Sequence, residues 1–256
     1  MLMTLSTPIY GLKRKAKALA RAEHIPLHRA LDRVATQEGF ASWSLLAARM
    51  NADPPSRQLM QALAPGDMVL LGARPGQGKT VLGLQLLVHA IRSGRQGAIF
   101  SFEFTAQQLH THLQSIGANA EAFGDRLLLD TSDDICAGHI IHRMRDAAHD
   151  TVVVVDYLQM LDHKRAHPEL SVQLTQLRAF AQERRMVMVF LSQIHRSFDQ
   201  SQRPVPGLDD VRLPNPLDLQ LFDKTCFLHD REVRIDHADI QPESTRRCWS
   251  GAPLEH

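Results

Sequence analysis

The residues best suited to chemistry lie between 72 and 80, where Gly72-Ala73-Arg74-Pro75-Gly76-Gln77-Gly78-Lys79-Thr80 joins an apolar run to an amphipathic stretch. A strand-to-helix junction of this kind is where a phosphate-binding loop must sit, because consecutive backbone N–H groups and the helix dipole converge there on an anion. The pattern Ala73-x-x-x-x-Gly78-Lys79-Thr80 is a Walker A motif with Ala in place of its first glycine. Gly76 and Gly78 allow the backbone to approach a polyphosphate closely. Lys79 is expected to neutralise β and γ oxygens, and Thr80 to ligate Mg²⁺ through its hydroxyl. The loop Ala73, Arg74, Pro75, Gly76, Gln77, Gly78, Lys79 and Thr80 is thus the expected nucleotide cradle. A dinucleotide site is disfavoured, because its G-x-G-x-x-G spacing is absent.

A triphosphate site needs a carboxylate near its metal, at the C-terminal end of a neighbouring strand. Thr151-Val-Val-Val-Val-Asp156 supplies one: four valines in a row predict a strand buried on both faces, with Asp156 at its tip as the second Mg²⁺ ligand. Hydrolysis also requires a group that activates water. Glu103, closing the run Ile99-Phe100-Ser101-Phe102, is the leading candidate for that base, with an N-terminal cap on the following helix as its alternative role. Ser192-Gln193 ends another apolar run and would place the Gln193 amide near the γ-phosphate as a sensor, though a polar strand end has the same spacing.

Positioning these groups requires an α/β domain with a mainly parallel sheet, and from Pro65 onward short β-branched runs alternate with longer amphipathic segments. Strands are predicted at Met68–Gly72, Gly97–Phe102, Leu127–Asp130, Thr151–Asp156, Met186–Ser192 and Lys224–His229. Helices are predicted at about 79–93, 105–116, 135–149 and 169–185. The stretch 194–220, rich in Arg, Asp, Gln and Pro, is too long for an ordinary connection and reads as a functional or disordered loop. Ahead of this domain, helical periodicity over about 10–23, 26–39 and 41–50 predicts a small helical segment over residues 1–50. Asn51 to Arg57, with Asp53-Pro54-Pro55-Ser56, has linker composition, so 51–64 is read as a linker and 65–253 as the ATPase domain. Leu254-Glu255-His256 is read as a tag remnant.

The chain has 256 residues with 44% hydrophobic and 22% charged content, which suits a packed core and excludes collagen-like or globally disordered classes. No apolar run approaches the ~20 residues needed to cross a bilayer. Three scattered cysteines, Cys136, Cys226 and Cys248, form neither a zinc pair nor a disulfide framework, so a cytoplasmic, reducing setting without membrane contact is expected. The pairs His163/His167 and His139/His142 lack a third ligand, and no zinc is expected. Charge is uneven: residues 1–50 carry eight Lys and Arg against three acidic residues. That basic head suits an anionic surface or an acidic partner of unknown identity, and a solvated helix face gives the same count.

The motifs, in order, are Ala73-Arg-Pro-x-x-Gly-Lys-Thr80, Phe100-Ser-x-Glu103, Asp156-Tyr-Leu-Gln159 and Leu191-Ser-Gln-x-x-Arg-Ser197. Together with Asp210-Val-Arg212 and Asp223, they resemble the ATPase domain of DnaB-like replicative helicases. The resemblance covers about residues 60–232. It implies a RecA-like P-loop NTPase fold, Mg-ATP hydrolysis with Glu103 as base, and assembly into a homo-oligomeric, hexameric ring around single-stranded DNA. It further implies that loops carrying His163-Lys164-Arg165 and Arg196, Arg203 and Arg212 face a central channel, where Lys164, Arg165, Arg196 and Arg203 would meet a phosphodiester backbone. Two departures stand out. The basic helices are unrelated to the family's collar domain, and no Lys-x-Arg pair follows for a neighbouring subunit's γ-phosphate; Arg231-Glu-Val-Arg234 and Arg246-Arg247 are the available substitutes. The alternative function is an ATP-switched interaction protein that keeps the core and does not unwind DNA.

Overall fold

Four consecutive valines can all be buried only where both faces of their strand are covered, and the sheet is built that way. The computed structural model describes residues 9–52, 55–161, 163, 164, 166–200, 203, 205–212, 217–229 and 232–237. The strands are β1 (Met68–Ala73), β2 (Gly97–Ser101), β3 (Leu127–Asp130), β4 (Val152–Asp156), β5 (Val187–Gln193), β6 (Lys224–His229) and β7 (Glu232–His237). They form one seven-stranded sheet in the order β3-β2-β4-β5-β1-β6-β7, parallel except for the antiparallel β6–β7 pair. Val152 and Val154 enter the core on one face, Val153 and Val155 the core on the other. Burying each such side chain contributes about 1.5–3 kcal/mol.

The helices are α1 (Ile9–Ala22), α2 (Leu27–Gln37), α3 (Trp43–Ala52), α4 (Pro55–Ala62), α5 (Lys79–Arg92), α6 (Ala106–Ser115), α7 (Ala137–Met144) and α8 (Leu170–Arg184). One face of the sheet is covered by α4, α5 and α6, through side chains such as Leu59, Leu84, Leu87 and Leu109. The other is covered by α7 and α8, through Ile140, Leu174 and Leu177. These layers are the RecA-like α/β arrangement that the motifs imply. The head has a separate core of Leu12, Ala16, Ala30, Val34, Ala35 and Leu46, with Trp43 packed against it. Asp32 Oδ1 accepts the backbone N–H of Trp43 at 2.8 Å, fixing the start of α3.

Two features differ from the sequence expectations. Part of the 51–64 linker is helical: Pro55 opens α4, where the fixed φ of proline suits a first helical turn, and Leu59 is fully buried in the core beside α5. A strand not anticipated, β7, closes the far edge of the sheet. Its Val233 and Ile235 pack on the core while Arg234 between them sits over the Phe227 ring at 5.6 Å. The long stretch after β5 is organised by short 3₁₀ turns at Arg196–Gln200 and Leu208–Asp210 and by a bridge between Ile194 and Val211. Asp53, Pro54, Arg165, Arg231, Arg246, Arg247 and residues 254–256 lie outside the described residues.

Candidate nucleotide site

The loop after β1 reverses through Gly76 and Gly78, at φ +78° and +87°, and Gly78 is the N-cap of α5. An added Cβ at either glycine would meet nothing within 4 Å, so these positions border open space. Their left-handed conformation is the reason glycine is needed there. The first residues of α5, Lys79 and Thr80, are both buried. Thr80 donates its hydroxyl to Asp156 Oδ2 at 2.7 Å, and Lys79 Nζ donates to Glu103 Oε2 at 2.7 Å. Lys79 Nζ also lies 3.3 Å from Asp156 Oδ1, an ion-pair distance at which Oδ1 is nonetheless left without a hydrogen bond. The structure thus brings together four groups predicted from three separate stretches of sequence.

Sheet order explains how. Ser101 and Asp156 are paired across β2 and β4, so the acids leave adjacent strand tips. Asp156 is not on a strand beside β1, however: β5 intervenes, and the carboxylate reaches Thr80 across it. β5 is the strand next to the loop, with Ala73 registered against Gln193 and Gly72 against Ser192. Gln193 accordingly stands at the loop's edge, and its carbonyl accepts the backbone N–H of Arg212 at 2.8 Å.

Glu103 is placed by a serine. Ser101 Oγ accepts the backbone N–H of Phe104 at 3.1 Å and of Glu103 at 3.3 Å, tightening the turn that presents the acid. The cap of α6 is Thr105, in a reciprocal capping box with Gln108. The capping role is therefore filled without Glu103. A cavity of about 400 Å³ opens beside the carboxylate, lined by Phe102, Thr105, Ser132, Asp133 and Lys164 among others. Electrostatics divide the cluster. Burial pushes the Asp156 carboxyl above its usual pKa, only partly offset by Lys79 and Thr80. Burial also opposes the charge of Lys79, but Asp156 and Glu103 outweigh it and raise its pKa, so the ammonium is retained.

Several groups sit differently from the expectations. Arg74 turns away from the glycines and forks onto Asp199, with Nη2 2.7 Å from Oδ2, while Nη1 donates to the Ile194 carbonyl at 3.0 Å. Lys164 is paired with Asp134 at 2.5 Å, and Arg203 with Asp210 at 2.6 Å, so neither is an uncommitted loop cation. Arg196 is exposed at the start of its 3₁₀ turn. Gln159, quoted in the Asp-Tyr-Leu-Gln motif without a role, donates to Ser192 Oγ at 2.8 Å and to the Arg212 carbonyl. It joins the tip of β4 to the tip of β5. Its place in that motif was the signal for it; nothing local pointed to Asp199.

A family model described as ATPase: KaiC matches residues 57–210, more than half of the chain. The chain belongs to the KaiC ATPase family. Among relatives of this KaiC-family ATPase is the replicative DNA helicase DnaB of Geobacillus stearothermophilus. It is 26% identical over 195 residues, covering 64% of this chain and 43% of the relative. The DnaB of Helicobacter pylori (strain J99 / ATCC 700824) is 25% identical over 210 residues, 68% of this chain and 43% of that protein. The KaiC-family chain thus spans less than half the length of these relatives. In fold it is similar to a solved ATPase domain, with a TM-score of 0.57 and 20% identity over 77% of this chain and 90% of that one. It is also similar to a DnaB-like replicative helicase whose structure was described with its primase interactions. There the TM-score is 0.56 at 18% identity, over 89% of this chain and 73% of that one. These likenesses make the core of this KaiC-family ATPase a DnaB-like RecA fold. Among the described residues no helix is long and apolar enough to cross a membrane.

Proposed function

We propose that this ATPase binds Mg-ATP in the loop of residues 73–80 and hydrolyses it as a DnaB-like motor acting on single-stranded DNA in a homo-oligomeric ring. The observation that carries the reading is the convergence of Lys79, Thr80, Glu103 and Asp156, linked by polar contacts of 3.3 Å or less. Lys79 faces the β and γ oxygens. Glu103, open to the adjoining cavity, takes a proton from water as its oxygen bonds to the γ-phosphorus and the bond to the ADP oxygen breaks. The donor set fits Mg²⁺: a hydroxyl and a buried carboxylate with one oxygen lacking a hydrogen bond suit a hard cation. Thr80 and Asp156 would hold the metal, which supplies charge neutralisation on the phosphates.

The test is Glu103→Gln. Turnover should fall roughly 10²–10⁴-fold while affinity for ATP is retained; a variant that turns over normally would remove Glu103 from the role of base. A second reading, an ATP-switched interaction protein that does not unwind DNA, is favoured by the pairing of Lys164 and Arg203 with acids. DNA-stimulated turnover by a nucleotide-dependent ring supports the first reading. A DNA-indifferent monomer or dimer supports the second.

A further inference from the structure

Helix α1 carries Lys13, Arg14, Lys15, Lys17 and Arg21 and no acidic residue. All five are exposed, and among the described residues none of them forms an ion pair. Lys13, Lys17 and Arg21 follow one another at four-residue spacing, with Arg14 beside them, on a flank of the helix that starts next to the buried seam of Leu12 and Ala16 and turns away from it. Like charges at that spacing oppose helix formation. The acid nearest the end of the helix, Glu23, does not relieve them, because it is paired with Arg33. The contrast with the ATPase core is direct: there Arg74, Lys164, Arg178 and Arg203 each have a carboxylate partner.

We propose that α1 is a sequence-independent nucleic-acid contact in which Lys13, Arg14, Lys17 and Arg21 neutralise phosphodiester oxygens. Charge complementarity selects an anion, and the composition of the face selects its kind. Among the α1 residues described as exposed, five are cations and the other two are Ala18 and Ala22, a density of positive charge that suits a continuous phosphodiester backbone better than the centre of a protein interface, where charged residues are depleted. Phosphate contacts of this sort carry affinity without reading bases. The inference rests on α1 itself and holds or fails independently of the hydrolytic reading.

The experiment uses the full chain, a dye-labelled mixed-sequence oligonucleotide, single-stranded or as duplex, and fluorescence anisotropy between about 50 and 200 mM salt. The triple variant Lys13→Gln, Lys17→Gln, Arg21→Gln keeps residues of good helix propensity. On the single strand it should lower the slope of log affinity against log salt by about 2, at ~0.7 per lost phosphate contact. Affinity at the low-salt end should fall roughly tenfold or more. DNA-independent ATP turnover should be unchanged, which shows that the variant is folded; Arg14→Gln with Lys17→Gln is the fallback if the triple is not recovered. Loss on both substrates, or on the single strand alone, supports the proposal and says which phosphates are met. Wild-type affinity and slope in the variant on both substrates overturn it. So does failure of the wild type to bind either, or an effect confined to a polyglutamate competitor, which would mark an acidic protein partner instead. A Glu103→Gln result contrary to expectation, with the α1 effect intact, would count against the hydrolytic reading only.

Discussion

Arg74 and Asp199, 125 residues apart, form a two-pronged ion pair that ties the loop after β1 to the turn after β5, with Nε 3.0 Å from Oδ1 and Nη2 2.7 Å from Oδ2. The Arg74 hydrogen bond holds the Asp199 carboxyl below its usual pKa. Because Arg74 also holds the Ile194 carbonyl, one side chain fixes the distance between the loop and the strand carrying Gln193. Asp199→Ala should weaken ATP binding roughly two- to fivefold, the scale of a half-exposed pair. Arg74→Lys should not rescue the contact, since an ammonium cannot fork. Fluorescent-nucleotide titration checks both, and additive effects of Arg74→Ala and Asp199→Ala in a double-mutant cycle would show that the two side chains act separately.

Burial raises the pKa of the Asp156 carboxyl, so its charged form is disfavoured in the ligand-free site. Asp156→Asn should therefore leave the ligand-free melting temperature unchanged or raise it, while ATP turnover falls by about 10² or more as the proposed metal ligand is lost. Lys79 keeps Glu103 as its partner in this variant. Calorimetry and a steady-state assay on the same preparation give both numbers; a large drop in melting temperature would mean that the acid supports the fold instead.

Leu59 tests whether α4 belongs to the ATPase core. Leu59→Ala should cost about 2–5 kcal/mol, as for any fully buried leucine, measured by denaturant unfolding. A leucine in a true linker would cost almost nothing.

Asp130, buried at the end of β3, accepts from His139 Nε2 at 2.9 Å, Arg143 Nε at 3.1 Å and the Ser132 N–H at 3.1 Å. Burial alone would raise its pKa, but these bonds, led by His139, outweigh it and hold the carboxyl below its ordinary value. A depressed carboxylate pKa stabilises the fold above its unfolded value, and that contribution is lost as pH falls through the folded one. Asp130→Asn should cost about 1–3 kcal/mol near neutrality. The gap in melting temperature to the wild type should close as pH drops below the ordinary carboxylate range. A gap independent of pH would assign the loss to shape instead of charge.

How far the sequence reads depends on how local each determinant is. The glycines and lysine of the loop, the valine run and the six anticipated strands are set by neighbours in the chain, and each was legible there. Pro54-Pro55 looked like a linker because proline breaks helices in their interior; Pro55 instead starts one, and only packing of Leu59 on the sheet reveals it. β7 escaped because its alternation of apolar and charged residues is short and weak, and it becomes a strand through pairing with β6. The partners of Arg74, Lys164 and Arg203 were not legible either: Asp199 and Asp134 are distant in the chain, and Asp210 is brought close to Arg203 by the turns around it.

The site draws on β2, β4, β5 and β1, four consecutive interior strands, with β3 on one side and the β6–β7 pair on the other. Interior ladders are the last to open in native-state hydrogen exchange, whereas outer strands fray. The amides of Val153 to Val155 and Val189 to Leu191 should accordingly be among the slowest to exchange, and fraying at either border of the sheet would leave the strand tips that present Glu103 and Asp156 in register.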